Sequence, residues 1–364
     1  MAGKPRRTAL WAVARATNRV LLQRAYGNSY LSEYRRLAAQ FYRRPKTMLN
    51  DIWIGAAAEV GAAVSGDWSS GFEFRLGKAH ARVDQWDTHL DPPEAIRRGL
   101  DKPLVVARLA DAGVVVPEQI SFSLREVGRA VACVRRDVGP WVVKPRAGAG
   151  GIGVTCGVAR PDDLARAVVA AAAFGGGFVL ERQIVGAVYR LLILDGELLD
   201  VVRRDPSSVE GDGVSTIRDL IRSENHARAD AAGSRGNRLV PPDHDSLLAL
   251  RAQQIDLECV PPAGVRHPVK HSNGDGGRFD THSVSLSAVS REVVEDASRA
   301  VAAVGVRLAG VDLVTPDLSR GIAAAGGAIV EVNAPPALHY HYLTANAAGA
   351  SHVATRILLR LLQT

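Results

Sequence analysis

Residues 310–314 read Gly-Val-Asp-Leu-Val, and residues 329–333 read Ile-Val-Glu-Val-Asn. Both stretches have the β-branched and aliphatic composition of strands, yet each places an acid among apolar neighbours. Glu331 and Asn333 are two positions apart, so they project from the same face of a strand. A buried carboxylate is costly without a compensating cation, and hard oxygen ligands suit Mg²⁺. We therefore predict that Asp312, Glu331 and Asn333 bind magnesium. The alternative is an alternating strand with a solvated outer face.

A glycine-rich loop lies upstream of these strands. Residues 141–144, Trp-Val-Val-Lys, predict a short strand ending at Lys144, and the glycines that follow it are Gly148, Gly150, Gly151 and Gly153. The backbone N–H groups of such a loop can close around an anion, as phosphate-binding loops do. The spacing matches neither the Walker nor the dinucleotide-binding pattern, so a plain turn between two strands is the alternative.

Lysine is rare in this chain. Only six of the 45 basic residues are lysine, and three of these six, Lys102, Lys144 and Lys270, lie in the second part of the chain. A compact ammonium fits among phosphate oxygens where a wide guanidinium does not. We therefore interpret these three lysines as candidates for phosphate contacts, against the alternative that each is an ordinary surface or structural residue.

The remaining pattern interleaves helices and strands. Hairpins are predicted at residues 72–83 and 189–202, the second with an Asp195-Gly196 turn. Asp91-Pro92-Pro93 indicates a domain boundary near residue 100, and residues 225–246 are polar and predict a long surface loop. Helices are predicted at 8–26, 31–41, 162–173, 217–222, 290–304 and 350–362. Recurring hairpins favour an α+β fold over a doubly wound sheet.

The composition of the chain bears on where the protein is found in the cell and on what its basic segment binds. No apolar run is long enough to cross a bilayer, and no secretory signal opens the chain. Three scattered cysteines fit neither a disulfide framework nor a zinc site, which predicts a cytoplasmic protein. The first 50 residues carry eleven Lys and Arg side chains against the single acid Glu33. This arm suits nucleic acid or an anionic membrane, but no nucleic-acid motif accompanies it. We favour an Arg-rich helical face that meets acidic patches of its own protein or of a homodimer partner.

Four stretches in order along the chain resemble the ATP-grasp superfamily, in particular the ATP-grasp module of cyanophycin synthetases and bifunctional glutathione synthetases. They are DKPLVVARLADAGVVVPE from residue 101, WVVKPRAGAGGIGV from 141, VLERQIVGAVYRLLILDGELLDVVRRDPSSVEGDGVSTIRDLI from 179, and GVDLVTPD from 310 with IVEVNAPPALHYH from 329. The resemblance covers residues 100–364. It implies an ATP-grasp fold, two α/β subdomains that clasp ATP, over residues 101–364. It also implies a lid subdomain near 140–185 and a separate basic, helical N-terminal domain over residues 1–100.

The resemblance also implies roles for individual residues. Lys102 and Lys144 correspond to lysines that reach the nucleotide phosphates, and the glycine-rich loop to a mobile cover. Asp312, Glu331 and Asn333 match the magnesium ligands. The hinge that pairs with adenine corresponds to Glu181, Arg182, Gln183 and Ile184, and basic residues near the reacting groups to Arg190, Arg203, Lys270 and Arg278.

Three positions depart from the family pattern. Val188 replaces an acid that holds the ribose, Ile152 replaces a basic loop residue, and Pro335-Pro336-Ala337 replaces a common Pro-Gly. The last change implies a remodelled acceptor pocket, which the aromatic residues at 339–342 are candidates to line.

The implied activity is an ATP-dependent carboxylate–amine ligase. ATP and two Mg²⁺ ions, with Mn²⁺ as a substitute, would convert a carboxylate into an acyl phosphate that an amine attacks, releasing ADP and phosphate. The substrates would be small molecules, amino acids or short peptides, with no membrane or nucleic-acid partner. We expect one new amide bond rather than a polymer, because the chain ends after the ATP-grasp module. The rival hypotheses are an ATP-grasp phosphotransferase and a non-catalytic nucleotide-binding regulator.

Overall fold

The computed structural model describes residues 9–43, 47–99, 101–137, 139–148, 150–230, 238–273, 280–346 and 352–363. The first part of the chain consists of helices followed by a small antiparallel sheet with the order β1-β2-β3. Its elements are α1 (Ala9–Tyr26), α2 (Asn28–Phe41), α3 (Thr47–Val60), β1 (Ala63–Asp67), β2 (Gly71–Leu76) and β3 (Ala79–Val83). The predicted hairpin at 72–83 is confirmed, since β2 and β3 pair around the Gly77-Lys78 turn.

Two helices lead into a four-stranded antiparallel sheet with the order β4-β7-β5-β6. The helices are α4 (Pro93–Gly99) and α5 (Lys102–Asp111), and the sheet unit contains β4 (Gln119–Ser123), α6 (Val127–Arg136), β5 (Trp141–Pro145), β6 (Thr155–Val158), α7 (Pro161–Ala171) and β7 (Gly177–Arg182). This unit begins at β4, upstream of the predicted start near residue 140. Helix α1 packs on α7, and its Ala14 is buried in the same apolar cluster as Leu164 and Phe178.

The next elements are the hairpin β8 (Ala187–Leu194) and β9 (Glu197–Arg204), then β10 (Pro206–Glu210), α8 (Ile217–Asp230), α9 (His244–Ala252) and β11 (Arg266–Asn273). The Asp195-Gly196 turn is confirmed, because both residues have the positive φ values, 50° and 83°, that such a turn requires. The predicted surface loop at 225–246 is wrong where it is described. Helix α8 continues to Asp230, and His244, Asp245 and Ser246 are buried at the start of α9.

The last elements complete a five-stranded sheet with the order β12-β9-β8-β13-β14. They are β12 (Thr281–Ser283), α10 (Arg291–Val304), β13 (Leu308–Thr315), α11 (Ile322–Ala325), β14 (Ala328–Asn333) and α12 (Val353–Leu361). One face of this sheet packs on α5 and α10. The other face packs on α3 and α12 near Leu194 and Leu308, and it continues along β8 and β13 into polar residues. None of the described helices is long and apolar enough to span a membrane.

Candidate active site

The structure brings the three predicted metal ligands together on β13 and β14. Asp312 lies directly opposite Glu331, and Asn333 lies opposite Gly310. The Asn333 side-chain amide donates to Asp312 Oδ2 over 3.3 Å. Among the described residues, no three His, Cys, Asp or Glu side chains lie close enough together to hold a metal ion. The cluster thus offers two carboxylates and one amide oxygen, a donor set that fits Mg²⁺ completed by substrate phosphates.

Arg190 on β8 holds Asp312 from the neighbouring strand. Its Nε and Nη2 donate to the two carboxylate oxygens over 2.7 and 2.6 Å, and both side chains are buried. Gly310 permits this close approach, since a Cβ there would lie 3.2 Å from Arg190 Cδ. Burial alone would raise the pKa of Asp312, but Arg190 and then Arg204 outweigh it and lower that pKa, so the carboxylate stays ionised.

Two lysines face the remaining carboxylates. Lys102, at the start of α5, forms an ion pair with Glu331, and Asp101 before it caps the helix by accepting from Leu104 N. Lys144 Nζ on β5 lies 2.7 Å from Glu181 Oε2 on β7, and the Glu181 side chain is buried while that of Lys144 is nearly so. Burial alone would lower the pKa of Lys144, but the Glu181 carboxylate outweighs it and raises that pKa. Both ammonium groups are therefore suited to bind anions.

The glycine-rich loop follows Lys144 directly. Gly148, Gly150, Gly151 and Gly153 all have positive φ values, from 66° to 136°, a conformation that other residues rarely adopt. Arg238 Nη1 donates to the Gly150 carbonyl over 2.5 Å and fixes one point of the loop. The Ile152 side chain in this loop is exposed.

Most polar groups of the predicted hinge already have partners within the protein. The Glu181 side chain engages Lys144, and the Arg182 guanidinium stacks on Trp141 at 4.2 Å. Gln183 donates its backbone N–H to Pro140 and accepts from Gly157 N over 2.7 Å through its side chain. In the described part of the chain, the backbone N–H of Ile184 has no partner, so Ile184 is the hinge residue best able to meet a ligand.

Arg203, predicted near the reacting groups, lies on the opposite face of the sheet. It pairs across the hairpin with Tyr189, forms an ion pair with Asp205 at 2.8 Å, and its side chain is 43% exposed. The position near the reacting groups that was predicted for Arg203 is occupied by Arg204. The Arg204 side chain is buried, and its Nη1 lies 3.8 Å from Asp312 Oδ2. A bulge between Leu192 and Ile193 shifts the register by one residue, which turns Arg204 toward Arg190.

Lys270 lies outside the carboxylate cluster. Its buried ammonium is 2.5 Å from Asp243 and 3.3 Å from Asp245. Burial alone would lower the pKa of Lys270, but Asp243 and then Asp245 outweigh it and raise that pKa. Arg278 lies outside the described residues, so its predicted role stays a prediction.

Of the four aromatic residues at 339–342, two lie near the arginines of the site and two contact other elements. The Tyr340 ring faces the guanidinium groups of Arg204 and Arg190, which lie 4.3 and 4.9 Å from its centroid. The His339 ring is tilted against it, with centroids 4.2 Å apart. His341 instead pairs with Asp200 at 2.8 Å, and the Tyr342 hydroxyl accepts from the backbone of α12. Only the first two can line a pocket at the carboxylate cluster.

Known proteins supply a comparison for this arrangement. The chain is 31% identical to the cyanophycin synthetase of Trichormus variabilis over 282 residues, which are 75% of this chain and 30% of that one. It is 29% identical to the bifunctional glutathione biosynthesis protein of Mannheimia succiniciproducens over 241 residues, 64% of this chain and 31% of the relative. The chain thus spans about a third or less of the length of these curated relatives. No family model matches it.

A solved structure of a bifunctional glutathione synthetase is similar in fold to this chain. The bifunctional glutathione synthetase of Pasteurella multocida superimposes with a TM-score of 0.55 at 21% identity, covering 86% of this chain and 44% of that one. The fold combines helices with antiparallel sheets, as the sequence predicts. The α+β prediction and the predicted resemblance are therefore confirmed: this chain has the ATP-grasp fold and shares its sequence pattern with cyanophycin synthetases and bifunctional glutathione synthetases.

Proposed function

We propose that the protein is an ATP-dependent ligase that joins a carboxylate to an amine through an acyl phosphate. The observation that carries this proposal is the juxtaposition of two kinds of group. Asp312, Glu331 and Asn333 offer oxygen ligands, while Lys102 contacts Glu331 from a facing helix. A transferring phosphoryl group needs both cations on its oxygens and carboxylates for magnesium.

Each residue has a defined task in this mechanism. Asp312, Glu331 and Asn333 would hold Mg²⁺, with Mn²⁺ as a substitute, and the bound ion neutralises charge on the ATP phosphates. Lys102 and Lys144 would exchange their carboxylate partners for phosphate oxygens. The backbone N–H groups of the glycine-rich loop would donate to the same phosphates, and the backbone of Ile184 to adenine.

The bond changes then need no covalent enzyme nucleophile. A substrate carboxylate oxygen attacks the γ-phosphorus of ATP, the bond to the β-phosphate oxygen breaks, and ADP leaves. The amine attacks the acyl carbon, phosphate leaves with the bonding electrons, and the amine loses a proton. Arg190 and Arg204 lie beside Asp312, where they can orient the substrate carboxylate and stabilise developing negative charge. The glycine-rich loop would exclude water from the acyl phosphate.

The substrate range and setting follow from this chemistry. The substrates would be amino acids or short peptides, because the named relatives make peptide-like amides. We place the enzyme in the cytoplasm, which supplies ATP and keeps Cys133, Cys156 and Cys259 reduced, as they are in the structure.

A trapping experiment tests the intermediate. With Mg·ATP, the acid substrate and hydroxylamine, but no amine substrate, the enzyme should form a hydroxamate together with ADP. Hydroxylamine intercepts acyl phosphates because it is a strong nucleophile. Formation of AMP and pyrophosphate would instead indicate an acyl adenylate and reject the proposal. ADP formation with a stable phosphorylated product and no hydroxamate would favour the phosphotransferase alternative.

Adjacent arginines provide a matched pair of variants. Arg204→Met should lower kcat/KM at least about tenfold, since a buried charged hydrogen-bonding group near Asp312 is worth about 1.5–3 kcal/mol. Arg203→Met, one residue away but on the opposite face, should leave kcat/KM within about twofold of the wild type. Steady-state ADP release measures both. The reverse ranking would show that the reacting groups lie on the other face of the sheet.

Val188 predicts weak ribose recognition. It lies opposite Arg204 on the site face of β8, at the position where the ATP-grasp resemblance implies an acid. Without that acceptor, 2′-deoxy-ATP should be used within about tenfold of ATP, because a hydrogen bond to a charged group is worth about 1.5–3 kcal/mol. Val188→Glu should increase the preference for ATP. A wild-type preference well above tenfold would require another residue to hold the ribose.

A further inference from the structure

A cavity of about 680 Å³ adjoins the carboxylate cluster. Its walls come from α1 and α2, the segment after β3, the glycine-rich loop and the residues that follow α7. The side chains that give it an apolar and aromatic character are Leu22, Tyr34, Phe41, Trp86, Phe174 and Leu239. Pockets of this size bury most of a drug-sized ligand.

An aromatic row connects the cavity to the reacting groups. Trp86 stacks on His339 with ring centroids 5.7 Å apart, and His339 lies 4.2 Å from Tyr340. Tyr340 in turn faces the guanidinium group of Arg204, which lies beside Asp312. Tyr340 therefore borders both the cavity and an arginine beside the carboxylate cluster.

The cavity shares the glycine-rich loop with the proposed nucleotide site, but the lysines and acids of that site do not line it. Residues 150–155, which include the end of the glycine-rich loop, form one wall, while Lys144 lies before that loop in the chain. Of the described residues, Lys102, Lys144, Glu181 and Glu331 are not among those that line the cavity. The cavity thus lies beside the proposed phosphate-binding loop and extends beyond it.

The polar groups of the wall favour an anionic end. Lys270 lines the cavity, although Asp243 already pairs with it. Arg35 also lines it, its residue is exposed, and the described part of the chain gives it no ion pair. A carboxylate at Arg35 would gain a charge-assisted hydrogen bond without breaking an existing one.

We propose that one of the two substrates is an amino acid or dipeptide with a bulky aromatic or branched apolar side chain, bound in this cavity. The inference rests on the proposed ligase function and deepens it. The side chain would pack against Trp86 and Phe174, a carboxylate not used in the reaction would face Arg35, and the reacting end would lie at Tyr340. Glycine or aspartate would leave the apolar wall in contact with water, so both should bind weakly.

Calorimetry on the full chain with Mg²⁺ and a non-hydrolysable ATP analogue tests this proposal. The probes are Phe-Phe, free phenylalanine, Gly-Gly and aspartate. Phe-Phe or phenylalanine should bind at least about tenfold more tightly than Gly-Gly and aspartate, in line with the gain from burying one large apolar side chain. Equal or weaker binding of both phenylalanine probes would overturn the proposal.

Two variants locate the binding site. Ala173→Phe adds a ring to the cavity wall and should raise the Kd of the phenylalanine probe at least about tenfold by exclusion. Ala165→Phe, on the exposed side of α7, is the matched control and should leave that Kd unchanged. If Ala173→Phe does not fold, Tyr34→Ala serves instead, since loss of the ring should also weaken binding. An unchanged Kd in a folded wall variant would overturn the assignment.

ADP release separates this proposal from the ligase proposal. ADP release with small polar amino acids, together with no preference for phenylalanine probes, would keep the ligase and reject the cavity assignment. Cavity-dependent binding of Phe-Phe or phenylalanine, with no ADP release from any pair of amino acids or dipeptides, would keep the cavity assignment and reject the ligase.

Discussion

Glu331→Gln should lower kcat about a thousandfold while the protein stays folded. Glu331 lies opposite Asp312 and contacts Lys102, so it stands between the proposed metal site and a phosphate-binding lysine. An amide is nearly the same shape as a carboxylate but supplies no charge to a magnesium ion. Loss of a few kcal/mol of transition-state stabilisation corresponds to about this change in rate.

Steady-state ADP release and thermal melting measure this effect together. Glu94→Gln, at an exposed position on α4, is the control and should behave as the wild type. Excess Mn²⁺ should not restore the rate, because the missing group is a ligand and not the ion. A Glu331→Gln enzyme that releases ADP normally would remove the magnesium assignment and weaken the ligase proposal.

Arg190→Met should lower the free energy of unfolding by about 3–5 kcal/mol and abolish turnover. The guanidinium is buried and makes two hydrogen bonds to the buried Asp312 carboxylate. Removing it leaves a buried carboxylate without its main partner. An uncompensated buried charge destabilises the fold far more than the loss of both charges together. Arg204, at 3.8 Å, compensates only in part.

The double variant Arg190→Met/Asp312→Leu separates stability from function. Replacing both charges with apolar side chains should recover most of the unfolding free energy, since buried ion pairs often contribute little net stability. Turnover should stay absent, because the metal ligand is gone. If the double variant is no more stable than Arg190→Met, the instability has another cause than the unpaired carboxylate.

The pH dependence of stability provides a second measurement. In the wild type the pKa of Asp312 is lowered, so its ion pair stabilises the fold above the ordinary carboxyl pKa of about 3.9 and is lost as the pH falls through the lower folded value. In Arg190→Met, burial without the main partner should raise that pKa. The stability deficit of the variant should therefore shrink as the pH falls from 7 toward 4.

The strands and hairpins near the site could be predicted from sequence because local chemistry determines them. Asp195-Gly196 suits a two-residue turn, and the acids at 312 and 331 stand out against aliphatic neighbours. These signals lie within a few residues of the structure they determine. The structure accordingly has the hairpin and the pair of strands where they were predicted.

The choice between Arg203 and Arg204 could not be made from the sequence. A hairpin with a two-residue turn and no bulge would pair Arg190 with residue 201, and would leave residue 203 on the same face as Arg190. The bulge instead pairs Arg190 with Val202, which exchanges the faces of the two arginines. Nothing in the aliphatic run around it marks the position of that bulge.

The burial of the first turn of α9 could not be predicted from the sequence, for a different reason. Asp245 is buried because distant backbone groups satisfy it: Cys156 N on β6, and His271 N and Ser272 N on β11, at 2.8–3.1 Å. Composition predicts exposure for such residues, since an isolated carboxylate is rarely buried. The partners lie up to 89 residues away in sequence, beyond the reach of a local pattern.

Helix α1 shares an apolar core with α7, which has a practical consequence for distance measurements on this protein. Two dyes placed on these helices will stay at a fixed distance, because closely packed elements move as one body. A pair that joins α7 to α12 crosses from the four-stranded sheet unit to the five-stranded sheet, so it would report any change in the distance between them when a nucleotide is added. Other labels and affinity tags are therefore better placed near the exposed end of α4 than on α1. A tag on α1 would be attached to the same packed unit as the dye on α7.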